Sequence, residues 1–186
     1  MMQHGGIADP VRIEGARAGS AADVDALLGE IWPAAFRVAY SILRGSAAAE
    51  DAAQEACAVV VARIGRLRST AAFATWFYRI VVREALRVGR RQRPCEPLDD
   101  VVLGSEGALY DAIARLDVAQ ALRALTPMQR TAVTLRYYAD LNSREIGEVL
   151  GIPEGTVRSH LSAARARLGR MLDPQLGERG VTVHAF

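Results

Sequence analysis

Lysine is missing from this chain: all 23 residues in its lysine-plus-arginine count are arginine. That absence removes whole chemistries, since a Walker A phosphate loop, a Schiff-base cofactor site and a lysine general base all need the amine. Histidine is scarce, and His4, His160 and His184 are scattered without the spacing that gathers metal ligands. His4-Gly5-Gly6 is faintly similar to an oxyanion loop, but no Gly-x-Ser-x-Gly elbow accompanies it, and the acidic pair Asp99 and Asp100 lies in a linker. The chain is therefore expected not to be an enzyme, with no catalytic or metal-ligating residue, no cofactor and no small-molecule substrate. Its two cysteines, Cys57 and Cys95, form no close pair and are read as free thiols of a reducing compartment, with Cys57 in the core. The longest apolar run, Ala56 to Ala62, is far short of the roughly 20 residues that span a bilayer. Met1 to Gly6 carries neither the basic start nor the apolar stretch of a secretory signal. A cytoplasmic location without membrane insertion is expected.

No strand-like alternation competes with the helical periodicity. With 51 % hydrophobic and 6 % aromatic residues in 186, the chain is expected to be all-α. Its net charge of +2 conceals a segregation: Arg63 to Arg93 holds nine arginines against Glu84 alone, a balance of +8. Pro94 to Leu125 holds six acids against Arg115 and Arg123, a balance of −4. Such a one-sided basic block suggests a polyanion-binding surface.

Leu141 to Leu161 has the grammar of a helix-turn-helix. Asn142 with Glu145 forms a capping box that starts a helix at Ser143. Ile146, Val149 and Leu150 recur at helical spacing, and Gly147 permits a close crossing. Gly151 supplies the left-handed stop, and Pro153 suits the first position of the next helix. There Val157, Leu161, Ala164 and Leu168 make an apolar stripe, while Glu154, Arg158, Ser162 and Arg165 share a polar face that can enter a DNA groove. Upstream, Thr126 to Gln129 is a second capping box, opening a helix with Met128, Ala132 and Leu135 inward. Val118, Leu122 and Leu125 mark a helix before it.

In the other half an apolar-rich helix runs from about Ala22 to Arg44, interrupted or bent near Pro33. Ser46 is expected to cap the next, in which Ala49, Ala53, Ala56, Val60 and Ile64 point inward. Asp51, Gln54, Glu55, Ala58 and Ala62 occupy the opposite face, acidic and then small and apolar. A merely solvated face would stay polar, so this one fits a protein partner with a basic rim. From Arg66 to Ile80 aromatics alternate with arginines, a composition that can stack unpaired bases while holding phosphate. Trp76 and Phe77 are expected to be mostly structural, which leaves the loop from Arg68 to Thr75 as the better base contact.

Together the halves resemble a known family, the extracytoplasmic-function group of bacterial RNA polymerase sigma factors. Ala49-Glu-Asp-Ala-Ala-Gln-Glu55 is similar to its polymerase-clamp-binding segment and Phe73-Ala-Thr-Trp-Phe-Tyr-Arg-Ile80 to its minus-ten segment. Leu125-Thr-Pro-Met-Gln-Arg130 and Glu145 to Ser159 are similar to its minus-35-binding domain. The resemblance implies that Asp51, Gln54 and Glu55 bind the polymerase beta-prime clamp. It places Arg68, Ser69, Thr75, Trp76, Arg79, Arg83, Arg87 and Arg90 at minus-ten DNA. It places Glu154, Thr156, Arg158, Ser159, Ser162 and Arg165 at minus-35 DNA. The implied partners are core RNA polymerase, through beta-prime clamp and beta flap, promoter DNA and an anti-sigma factor. The chain departs from the family pattern at Cys57, where an aromatic is frequent, at Val61 in place of tryptophan, and at Arg83 in place of an asparagine that helps hold the extruded base. It also departs at His160 and Ala163, where basic residues are common.

The expected organisation is a disordered tail at 1–20, a region 2-like domain at 21–93, a flexible linker at 94–110, a region 4-like helix-turn-helix domain at 111–173 and a tail at 174–186. Fully extended, that linker spans on the order of 60 Å at about 3.5 Å per residue, more than the roughly 34 Å of one duplex turn. Two other readings account for less of the chain. A stand-alone helix-turn-helix regulator, dimeric on palindromic operators, leaves the N-terminal surfaces without purpose. An enzyme with a DNA-binding appendage has no catalytic constellation.

Overall fold

The computed structural model describes residues 7–91 and 121–172; the linker at 94–110, Cys95, Val118 and the C-terminal tail lie outside the described residues. Helix α1 (Pro10–Arg17) stands where a disordered tail was expected. Asp9 accepts a hydrogen bond from the Val11 amide at 2.9 Å and Pro10 takes the first helical position, so the start is fixed locally. Ile13 and Ala16 are buried, and Glu30 of the next helix accepts from the Asp9 amide at 3.1 Å and from Arg12. Eight residues are too few for a persuasive apolar period, and only the tertiary anchor makes this helix worthwhile.

Ser20 caps helix α2 (Ala21–Leu43), which continues through Pro33 as one helix and ends where Arg44 adopts a left-handed φ of 62°. By length and composition α2 passes for a membrane span, but Leu27, Ile31, Ala35, Val38 and Ala39 are all buried within the helical bundle. Helix α3 (Ser46–Arg63) starts one residue from the expected cap: Gly45 is the N-cap, and no side chain bonds the first amides. Its inward residues are small. Ala49, Ala52, Ala53 and Ala56 are fully buried, which allows the close approach to α2 that large side chains would prevent. Two short 3₁₀ turns, Ile64–Arg66 and Thr70–Ala72, lead into helix α4 (Phe73–Arg91). Phe73 and Phe77 stack with ring centroids 6.0 Å apart and are buried, in line with the structural role expected of Phe77.

In the C-terminal half, residues 121–124 are helical, followed by α5 (Pro127–Tyr137), α6 (Ser143–Leu150) and α7 (Glu154–Leu172). Both capping boxes form: Thr126 with Gln129, and Asn142 with Glu145. Ala132 and Leu135 are fully buried, but Met128 is 38 % exposed and not inward, because it sits in the first turn, at the rim. The two halves pack together. Helix α5 lies on α2, α6 lies on α4, and a single apolar cluster runs from Ile13 through Phe77 to Val157.

Gly147 shows how tightly the helix-turn-helix is closed. A Cβ there would lie 2.8 Å from the Ile152 carbonyl oxygen, in a turn already held by the Ile152 amide on the Gly147 carbonyl at 3.1 Å. The obstacle is backbone and cannot swing aside. Gly147→Ala is expected to destabilise the fold by about 1–3 kcal/mol, the usual range for overpacking. A urea titration followed by far-UV circular dichroism measures it; an unchanged midpoint would contradict the close-approach explanation.

Candidate partner and nucleic-acid interfaces

On α3 the helical period separates the buried alanine stripe from Asp51, Gln54, Glu55, Ala58 and Ala62, all exposed. The first three border an open cleft of about 230 Å³ shared with Val88 and Arg91 of α4. Glu55 is not an isolated acid, since Arg87 reaches it at 3.0 Å. Arg87 also binds Glu84, whose side chain is buried. The hydrogen bond it donates to Glu84, with the charges of Glu84 and Glu55 added, pushes the Arg87 guanidinium above its ordinary pKa. Arg87, grouped by sequence with the DNA-facing arginines, also bridges α3 and α4. The two surfaces meet at this residue.

Arg79, Arg83 and Arg90 project from the exposed side of α4. Arg83 makes a long ion pair with Glu84 at 4.0 Å. Arg68 and Ser69 are exposed in the loop between the 3₁₀ turns, though the Ser69 hydroxyl already accepts from the Ala71 amide at 3.3 Å. Thr75 and Trp76 are half-buried, with the indole 5.9 Å from the Phe73 ring. Arg66 and Arg91 are exposed on the same half and belong to this basic surface; the charge count contained them, but the motif did not single them out.

The helix-turn-helix follows from its caps and apolar stripe. Gly151 has φ +69°, the conformation that ends α6 without steric cost. Pro153 stands one residue ahead of α7, its carbonyl accepting from Val157 at 3.2 Å. Val157, Leu161 and Ala164 are buried and leave Glu154, Thr156, Arg158, Ser159, Ser162 and Arg165 exposed. Arg158 rests on Glu154 at 3.3 Å, an exposed i,i+4 pair that is weak enough to release for a phosphate or base. The Ser159 hydroxyl donates to the Gly155 carbonyl at 3.1 Å. Arg144, at the start of α6, has an 80 % exposed side chain and extends this surface; the capping box at Asn142 placed it in the first turn, the one signal available for it. Among the described residues no three His, Cys, Asp or Glu side chains gather as a metal site.

Comparison with known proteins agrees with this geometry. Residues 28–94 match the Sigma-70 region 2 family and residues 109–168 match Sigma-70, region 4. The chain is 31 % identical over 153 residues to the ECF RNA polymerase sigma factor SigW of Bacillus subtilis, covering 74 % of this chain and 82 % of the relative. It is 37 % identical over 140 residues to SigM of Mycobacterium tuberculosis, covering 73 % and 70 %. Two solved structures share the fold: CnrH in complex with the cytosolic domain of CnrY, with TM-score 0.65 and 19 % identity over 89 % of this chain and 97 % of that one; and RpoE with the anti-sigma factor NepR from Bartonella quintana, with TM-score 0.63 and 23 % identity over 81 % and 96 %. The chain belongs to the extracytoplasmic-function group of RNA polymerase sigma factors. Its function is that of the group: it binds core RNA polymerase and directs promoter-specific initiation, and a stand-alone operator-binding dimer is not favoured.

Cys57, where the family often has an aromatic, lies on the buried side of α3. Burial pushes its thiol up to about 11, so the nucleophilic thiolate is depleted at neutral pH. In a Cys95→Ser background, iodoacetamide at pH 8 is expected to leave native Cys57 unmodified and to label it in urea. Mass spectrometry reads both, and fast labelling of the folded chain would refute the burial argument.

Proposed function

We propose that α3 seats this sigma factor on the polymerase clamp through Asp51, Gln54 and Glu55. The supporting observation is a face that changes character along its length, acidic at Asp51 to Glu55 and apolar at Ala58 and Ala62, on a helix whose other side is fully occupied by the core. Such a face suits a basic-rimmed protein surface. The minus-ten module comprises α1 together with residues 21–93, and its DNA surface is Arg68, Ser69, Thr75, Trp76, Arg79, Arg83, Arg87 and Arg90. The minus-35 module comprises residues 111–173 and reads the major groove with Glu154, Thr156, Arg158, Ser159, Ser162 and Arg165. The exposed polar side of α7 opposite a fully buried stripe supports that placement. The beta flap is the second contact on polymerase. The chain acts in the cytoplasm, performs no covalent chemistry and is held by an anti-sigma factor; the solved structure of RpoE with the anti-sigma factor NepR supports the last point.

A pull-down with core polymerase tests the seat. Asp51→Arg and Gln54→Arg should each weaken capture while leaving helicity unchanged; undiminished capture of both would remove α3 from the interface. For the minus-35 surface, Arg158→Ala should cost about 1–3 kcal/mol of promoter binding if the guanidinium grips a base edge in bidentate fashion. Run-off transcription at fixed salt reports that loss, and wild-type promoter output would place Arg158 outside the contact.

A further inference from the structure

Helix α4 buries one acid. The Glu84 side chain is 8 % exposed, on the face where Val81, Ala85 and Val88 join the apolar cluster. A carboxylate leaves water only at a high cost unless a cation meets it. Arg87, one turn along the same helix, does so, its Nε donating to Glu84. The same guanidinium reaches a second helix. Its Nη2 stands 3.0 Å from Glu55 of α3, whose side chain is 52 % exposed. One cation therefore ties an anchored carboxylate to a solvent-facing one.

The tether fixes Glu55 without exhausting it. Arg87 engages Oε2, and an ionised carboxylate has about four lone-pair sites, so most of its acceptor capacity stays open beside the cleft that Glu55 lines with Asp51 and Gln54. Two carboxylates against one guanidinium also leave the set net acidic. A free glutamate on a helix surface loses rotamer freedom when a partner fixes it, and Glu55 has already lost much of that freedom. Asp51, one turn earlier, is exposed and among the described residues has no such tether.

We propose that Glu84 and Arg87 are positioning residues for polymerase capture: through them α4 presents the Glu55 carboxylate preorganised for a basic side chain of the clamp. The proposal rests on the α3 seat given above and adds to it a second helix that orients the contact. Preorganisation of this kind raises affinity by removing an ordering cost at the interface.

Titration of bacterial core RNA polymerase with the full chain, at fixed salt and without DNA, tests it. Leaving DNA out removes any contribution of Arg87 to the minus-ten surface. Arg87→Gln alone would strand Glu84 as a buried charge, so the double variant Glu84→Gln/Arg87→Gln carries the test, with helicity and urea midpoint checked by circular dichroism. Core affinity should fall about three- to tenfold, the size expected for ordering one long side chain. The loss should vanish in a Glu55→Ala background, where no carboxylate remains to be held, and persist in full in an Asp51→Ala background. Glu84→Gln alone, which keeps the shape of the buried side chain, should show the same dependence on background and decides if the double variant unfolds. An equal loss in both backgrounds means general damage to the α3–α4 packing and overturns the proposal. Unchanged affinity overturns it too, as does a gain, which would make Arg87 a competitor of the clamp's cations. If Glu55→Ala and Asp51→Ala themselves leave capture undiminished, the seat on α3 is wrong and the tether falls with it; if they weaken capture and the double variant does not, the tether alone is lost.

Discussion

One guanidinium stands where two helical segments end. Arg130 donates to Ser41 at the close of α2 and to Leu122 and Leu125 at the close of the helical segment before α5, so one side chain meets carbonyls at both helix ends. Desolvation, with Arg44 nearby, pulls its pKa below the usual guanidinium range. It stays charged nonetheless, since arginine begins so far above neutrality. Around this point the apolar cluster closes, with α5 against α2 and α6 against α4. The burial of Tyr78 follows from the same closure: its hydroxyl is pushed up by burial and by nearby Tyr138 of the other half.

The absence of lysine takes on structural meaning in this setting. Arg87 grips carboxylates on two helices, Arg130 gathers carbonyls from two halves, and Arg37 lies against an aromatic ring. Each task uses a planar, multi-donor, weakly hydrated cation, where an ammonium would act as a compact point charge. Arg79, Arg83 and Arg158, by contrast, remain exposed.

Every working surface here is the reverse side of a core stripe. The buried alanines of α3 force Asp51, Gln54 and Glu55 outward, and Val157, Leu161 and Ala164 do the same for Arg158 and Ser162. Rigid placement follows, since a side chain on a packed helix inherits the precision of the core beneath it. The exposed Glu154–Arg158 pair is weak and does not lock the guanidinium in place.

Local chemistry was enough to determine much of this protein from its residues. Capping boxes at Thr126 and Asn142, the left-handed stop at Gly151 and the 3.6-residue stripes of α3 and α7 act within a few positions, so the helix-turn-helix and the acidic face of α3 were legible directly. Three features were not. Helix α1 depends on Glu30 far along the chain, and the exposure of Met128 depends on where the rim of the junction falls. The capture of Arg87 by Glu55 and Glu84 depends on two helices lying side by side. Only the tertiary structure could decide that Arg130 completes α2 and that the two halves share one core, because a hydrogen bond spanning 89 positions leaves no period, cap or spacing in the sequence to mark it.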